Sequence, residues 1–178
     1  MIKRVLLDLD GVLIDFVGGA CEHHNKPWPY KEGEQGSWEL EPLLGMSARE
    51  LWEPLGYEFW LGLKPFPHME EFVEILERRF GVEHISLLTS PVKTPGCVEG
   101  KMDWIRKHLP QYRRRFLIGP AKEFCASRHN VLIDDNEDNE RKFLEAGGQS
   151  LLVPGPWNRR FAEKPLPALK AWIANLDT

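Results

Sequence analysis

Val5, Leu6 and Leu7 form a continuous apolar run close to the start of the chain. Such a run suits a strand buried on both faces. It stops at Asp8, and Asp10 and Gly11 follow at once. Two carboxylates one residue apart at the end of a buried strand are costly unless a cation lies between them. Gly11 suits a sharp turn where backbone and ligand come close. Open α/β sheets bind ligands beyond the carboxyl ends of their strands. Mg²⁺ is usually held by one or two carboxylates together with phosphate oxygens. The opening stretch therefore points to an α/β fold with a Mg²⁺-and-phosphate site centred on Asp8. A D-x-D-G alone also fits an ordinary polar strand end, and the rest of the chain has to separate the two.

Further strands are predicted at about His84–Leu88, Phe116–Ile118, Asn130–Ile133 and Ser150–Val153, after a first at about Lys3–Asp8. Helices are predicted between them. Met69, Phe72, Val73, Leu76 and Phe80 make one apolar face over about His68–Phe80, with Gly81 to end it. Val98, Met102, Ile105 and Leu109 make another over about Val98–Leu109, stopped by Pro110. An amphipathic helix closes the chain at about Pro167–Leu176. Strands alternating with helices predict βαβ units and a mostly parallel, Rossmann-like sheet with helices on both faces.

Each predicted strand end near the opening motif carries chemistry. Thr89-Ser90 follows one strand, and hydroxyls there can donate to a phosphate oxygen. Lys122 lies just past another and can neutralise a phosphate and carboxylates. Asp134-Asp135 ends a third and repeats the argument made for Asp8 and Asp10. Taken singly, Thr89-Ser90 fits a capped turn and Lys122 a surface lysine. In a parallel sheet these ends share one edge, and the coincidence raises all of them. The chemistry is then concrete. Asp8 attacks phosphorus to give an aspartyl-phosphate. Asp10 protonates the leaving alkoxide and later activates water. Thr89 or Ser90 and Lys122 hold the phosphoryl oxygens. Asp8, a backbone carbonyl near Asp10, and Asp134 or Asp135 hold the metal.

Residues 25–67 shift in composition. Trp28, Trp38, Trp52, Tyr57, Phe59, Trp60 and Phe66 fall there among many prolines and glycines. The stretch is too long for a simple connection. Ser47 to Glu50 reads as a capping box before a short helix. The expected organisation is a catalytic core of residues 1–17 and 68–178, with residues 18–67 as a small, mostly helical cap inserted after the first strand. Some of these rings hold the cap together, and one or two are expected to face a planar ligand.

The net charge of −4, from 23 basic and 27 acidic residues, argues against a polyanion-binding surface and so against nucleic-acid polymer as a partner. Three widely spaced cysteines, Cys21, Cys97 and Cys125, read neither as a disulfide framework nor as a zinc site. The expected compartment is a reducing cytoplasm. No stretch reaches the ~20 apolar residues of a membrane span, and the short run at Val5–Leu7 is no signal peptide. The sequence does not fix the oligomeric state, and the cap aromatics are compatible with a homodimer contact.

Asp8-Leu9-Asp10-Gly11-Val12 resembles the first motif of the haloacid dehalogenase (HAD) superfamily of phosphotransferases. Thr89-Ser90, Lys122 and Asp134-Asp135 match its second, third and fourth motifs. The resemblance implies a HAD-like fold, Asp8 as nucleophile, Asp10 as acid and base, Asp135 on the metal and Asp134 supporting it. The run through Phe16 with Gly18-Gly19, Phe59-Trp60-Leu61-Gly62-Leu63-Lys64-Pro65 and Leu88 to Lys93 is similar, more narrowly, to the 5'(3')-deoxyribonucleotidases. That family dephosphorylates deoxyribonucleoside monophosphates. The resemblance places Phe16, Trp38, Phe59 or Trp60, and Lys93 at its nucleoside pocket. Pro120 and Asn136 stand where characterised animal members carry arginines, and the interval from Lys122 to Asp134 is longer than theirs. Base and sugar preference is therefore not carried over. Two other readings stay open on the residues alone: the same chemistry on another small ester such as a sugar phosphate, and a non-catalytic nucleotide-binding protein.

Overall fold

A computed structural model describes residues 1–176. Five parallel strands form one sheet: β1 (Arg4–Leu7), β2 (Ile85–Thr89), β3 (Phe116–Ile118), β4 (Asn130–Asp134) and β5 (Gln149–Leu152). Their order is β3-β2-β1-β4-β5. The chain leaves central β1 toward β2 and β3, then crosses back to β4 and β5 on the other side. A reversal of this kind opens a crevice at the carboxyl ends of the strands beside it. Val5, Leu7, Ile85, Leu87, Val131 and Ile133 are fully buried, as a sheet covered on both faces requires. The fold is the α/β arrangement with a parallel sheet read from the sequence.

Between β1 and β2 run α1 (Phe16–His23), α2 (Leu40–Leu44), α3 (Ala48–Trp52), α4 (Tyr57–Gly62) and α5 (Met69–Phe80). Asp15 caps α1, accepting from Gly18 N at 2.9 Å. A Cβ at Gly18 would stand 2.2 Å from the Asp15 carboxylate. The thinness of this helix start thus serves close packing. Ser47 and Glu50 form the predicted capping box before α3. Leu51, Leu55, Trp60 and Leu63 of this stretch join Phe16, Val17 and the central strands in one buried cluster.

The remaining helices are α6 (Cys97–His108), α7 (Glu137–Glu145) and α8 (Pro165–Asn175). No described helix is long and apolar enough to cross a membrane.

Two expectations are corrected. A short 3₁₀ turn takes Val82–His84, so β2 starts at Ile85 and runs through Thr89. That shift buries the Thr89 side chain completely. The buried face of α6 is only in part the predicted one: Ile105 and Leu109 are buried as expected. Cys97, Gly100, Lys101, Trp104 and Ile105 are buried, whereas Val98 is exposed. Gly100 lets α4 lie close, since a Cβ there would come 2.6 Å from Trp60 Cβ. Lys101 has charged partners waiting inside. A count of apolar residues alone passes over both positions.

Candidate active site

The carboxyl ends of β1, β2 and β4 bring Asp8, Thr89, Asp134 and Asp135 together, and all four are buried. Asp8 follows β1 and is tied to neighbouring β4 by its own N–H, which donates to Ile133 O at 3.0 Å. Lys122 opens a 3₁₀ turn after β3 and is 1% exposed. Its Nζ lies 2.8 Å from Asp8 Oδ1 and 2.7 Å from Asp134 Oδ2. Asp10 pairs with Lys101 of α6. Lys101 Nζ also donates to Thr89 Oγ1 at 2.9 Å and to Ser90 O at 3.0 Å, and stands 5.0 Å from the centre of the Trp60 ring.

Hydrogen bonding separates the two adjacent aspartates. Both oxygens of Asp134 are engaged: Oδ2 by Lys122, Oδ1 by Asn136 N at 2.9 Å, and both by Asn139 Nδ2. Asp135 Oδ2 accepts from Trp157 Nε1 at 2.7 Å, while its Oδ1 is buried without a hydrogen bond. Asp8 Oδ1 and Asp10 Oδ1 are likewise buried without an aligned donor. The Lys122 contact with Asp8 is an ion pair off the hydrogen-bond line. Buried carboxylate oxygens left in this way are costly.

Asp8, Asp134 and Asp135 offer oxygens all within 4.8 Å of one another. With Asp10, four carboxylates face two ammonium groups, Lys101 and Lys122. With all four ionised, two negative charges are left over, which one divalent cation can neutralise. Oxygens of Asp8 and Asp135 that no hydrogen bond engages are the donors such a hard cation takes, so the residues fit a metal.

The electrostatics agree. Burial, with Asp134 and Asp10 nearby and Lys122 opposing, pushes the Asp8 carboxyl up to about 7. Burial, with Asp134 and Asp8, pushes Asp135 well above the usual carboxylate range. Burial would lower the Lys122 ammonium, but Asp8 and Asp134 outweigh it and hold it above an ordinary lysine. A raised carboxyl means that the folded state keeps a proton the unfolded chain has lost. In EDTA, stability is therefore expected to fall as pH rises from about 4 to about 7. Mg²⁺ should restore more at about pH 8 than at about pH 5. Melting temperatures across that range, with and without Mg²⁺, check this; a profile that is flat in EDTA would contradict the buried cluster.

Above this floor lies a cleft of about 270 Å³. Asp8, Asp10, Ser90, Lys122 and Asp135 line one end, and Phe16, Trp38, Trp52, Trp60 and Val92 line the rest. Phe16 lies parallel to Trp52 and to Trp60, at ring distances of 5.7 and 5.5 Å. Trp60 is buried. Phe59 does not reach the cleft. It packs at 5.5 Å against His23 and lines a separate depression on the other side of α1. Lys93 is exposed and does not line the cleft either. Of the pair Phe59 or Trp60, α4 turns Trp60 toward the cleft and Phe59 away, and the loop after β2 leaves Lys93 exposed. Pro120 and Asn136 line the cleft.

Sequence reasoning missed Lys101, Trp157 and Asn158. Lys101 had one signal: it interrupts the stripe Cys97, Trp104, Ile105 at helical spacing. Trp157 and Asn158 sit in a loop after β5 and had none.

The sequence pattern of the 5' nucleotidase, deoxy (pyrimidine), cytosolic type C family matches residues 1–172. The mitochondrial 5'(3')-deoxyribonucleotidase of Mus musculus is 30% identical over 148 residues, covering 76% of this chain and 65% of that protein. The cytosolic-type 5'(3')-deoxyribonucleotidase of Homo sapiens is 31% identical over 149 residues, covering 75% and 71%. The chain thus spans slightly under two thirds of the length of the mouse relative. Among solved structures, a phosphoglycolate phosphatase-like protein from Lactobacillus plantarum aligns with a TM-score of 0.57 at 15% identity, covering 96% of this chain and 99% of that one. A haloacid dehalogenase-like hydrolase from Streptococcus pneumoniae aligns at 0.56 and 15%, covering 96% and 98%. At such identity the structural likeness concerns the fold alone.

Proposed function

Since the chain belongs to the 5' nucleotidase, deoxy (pyrimidine), cytosolic type C family of the HAD superfamily, we propose that it is a Mg²⁺-dependent phosphatase of deoxyribonucleoside monophosphates. The observation that carries this reading is the convergence of four carboxylates and two buried lysines beneath an aromatic cleft. Residues 18–67 act in it as a cap over a core of residues 1–17 and 68–178.

Asp8 attacks phosphorus, and the ester bond to the nucleoside oxygen breaks. Asp10 gives that oxygen a proton. Asp10 then takes a proton from the water that attacks the aspartyl-phosphate, and phosphate leaves with Asp8 regenerated. Lys122 keeps the charge of Asp8 and the phosphoryl group in balance. Asp8 and Asp135, with a backbone carbonyl at Asp10, would hold Mg²⁺, which screens the repulsion between the phosphate and Asp8 and so lets Asp8 work ionised near pH 7. Asp134, its oxygens saturated, holds Lys122 in place. The aromatic wall offers Trp38 to a flat base, since Phe16 is stacked with both Trp52 and Trp60. A cleft of this kind suits a small nucleotide better than the end of a polymer. The cytosolic-type relative supports placing the reaction in the cytoplasm.

Lys101 holds Asp10 and donates to Thr89 Oγ1, while Ser90 is the hydroxyl of this pair that lines the cleft. Lys101→Met is expected to lower kcat about 10²- to 10³-fold on nucleotides with little change in KM. The loss should be smaller on an aryl phosphate, whose leaving group needs no proton. Steady-state kinetics on both substrates check this; an equal loss on the two would detach Lys101 from the proton transfer.

The test of the function is phosphate release, with Mg²⁺ and with EDTA, across 5' and 3' ribo- and deoxyribonucleoside monophosphates and several sugar phosphates. Mg²⁺-dependent turnover concentrated on deoxynucleotides is expected. Turnover on sugar phosphates alone would keep the chemistry and discard the reading of the cleft.

A further inference from the structure

Lys101 is the one side chain that hydrogen-bonds to the Asp10 carboxylate among the described residues. Its ammonium also donates to Thr89 Oγ1 and Ser90 O, so each of its hydrogens has an acceptor. The other oxygen of the aspartate, Asp10 Oδ1, is buried and accepts no hydrogen bond. The orientation of Asp10 therefore depends on where Lys101 sits. Trp60 covers that ammonium, with its ring centre 5.0 Å from Lys101 Nζ. Trp60 comes from α4, which packs against α6 next to Lys101. A Cβ at Gly100 would come 2.6 Å from Trp60 Cβ and 2.8 Å from Tyr57 O. Tyr57 Oη donates to Asp103 Oδ2 at 2.9 Å, and Trp104 Nε1 donates to Leu63 O at 2.8 Å. Bonds at both ends of α4 thus join it to α6. The Trp60 indole itself donates to Leu55 O at 2.8 Å in a buried bond and stacks on Phe16. It is 2% exposed, which leaves little of it for a ligand.

We infer that Trp60 is a positioning residue: its ring holds Lys101 against Asp10 and so aligns the group that protonates the leaving oxygen. An ammonium near an indole face is attracted by the ring quadrupole, more strongly where water is excluded. The same ring keeps water off the Lys101–Asp10 pair, and an ion pair weakens as water reaches it. Without the ring, water from the cleft competes for the ammonium. Lys101 then gains freedom, and Asp10 loses the one side chain that orients it. In this role Trp60 acts through Lys101 and not on the substrate. Its effect therefore belongs in kcat and not in KM. The inference rests on the reading of Asp10 as the proton donor.

Steady-state kinetics on a deoxyribonucleoside monophosphate and on an aryl phosphate test it. The proteins compared are wild type, Trp60→Leu, Trp60→Phe, Lys101→Met, and Trp60→Leu combined with Lys101→Met. Trp60→Leu is expected to lower kcat on the nucleotide about 10-fold, with KM held within about 2-fold. The loss should be smaller on the aryl phosphate, whose leaving group needs no proton. In the Lys101→Met background Trp60→Leu should add nothing, since the two residues share one contact. Losses that multiply in the double variant, or that are equal on the two esters, would make Trp60 packing alone and overturn the inference. A rise in KM for the nucleotide at unchanged kcat would place Trp60 against the base and overturn it as well. Trp60→Phe keeps a ring beside the ammonium and fills most of the space, so it decides the matter where the leucine variant does not fold. It should lose no more than about 3-fold in kcat, with KM unchanged. A loss as large as that of Lys101→Met, or one that sits in KM, would overturn the inference. A wild type that turns over neither ester would instead remove the phosphatase reading, and the role of Asp10 with it.

Discussion

Asp8→Asn is expected to lower turnover by on the order of 10⁴-fold or more while leaving the chain folded. The amide cannot form the aspartyl-phosphate, and the rest of the site does not supply a second nucleophile at that position. The effect on stability should run the other way. Asp8 is buried, and burial together with Asp134 and Asp10 drives its carboxyl up to about 7. Removing its charge relieves that repulsion. Lys122 keeps Asp134 as a partner at 2.7 Å. The melting temperature in EDTA should therefore hold or rise, and its fall between about pH 4 and pH 7 should flatten. Acid quenching during turnover should trap a hydroxylamine-labile phosphoprotein from wild type and none from the variant. Activity near the wild-type level, or a trapped phosphoprotein in the variant, would sink the mechanism.

The second large effect is on stability. Lys122→Met leaves Asp8 and Asp134 in the interior without their shared ammonium. Breaking a buried ion pair from one side typically costs about 3–5 kcal/mol, because a charge stays behind uncompensated. For a chain of this size that corresponds to a fall of roughly 10 °C in Tm. Turnover should drop as well, by about 10²-fold or more. Lys170→Met is the contrast: its pair with Glu71 has both side chains about half exposed, and no measurable loss is expected. Adding Asp134→Asn to Lys122→Met should recover part of the stability, since it removes one of the stranded carboxylates. A Lys122→Met protein as stable as Lys170→Met would show that water reaches this cluster.

The residues at the strand ends were readable because two simple regularities combine. Apolar runs mark the buried strands, and parallel strands put all their carboxyl ends on one edge. Asp8, Asp10, Thr89, Lys122 and Asp134-Asp135 follow from that. Lys101 escaped because a lysine in a helix reads as a solvated residue until its partners are seen. Phe59 and Trp60 are neighbours on a helix of six residues, too short for periodicity to tell which ring faces in. Structure gives the cleft side to Trp60. It also occupies Trp60 with Phe16 and the Leu55 carbonyl, which makes Trp38 the better probe of base binding.

The sequence by itself determined the sheet, the edge that carries the chemistry and the kinds of group gathered there. Tertiary structure alone decided which oxygens remain free. Asp134 and Asp135 are the same residue type at adjacent positions, and no local pattern tells them apart. They differ because Lys122, Asn136 and Asn139 saturate one while Trp157 takes a single oxygen of the other. The physical reason is one of range. Strand burial is set by residues next to one another in the chain. Hydrogen-bond satisfaction at a buried carboxylate is set by donors that only folding brings near it.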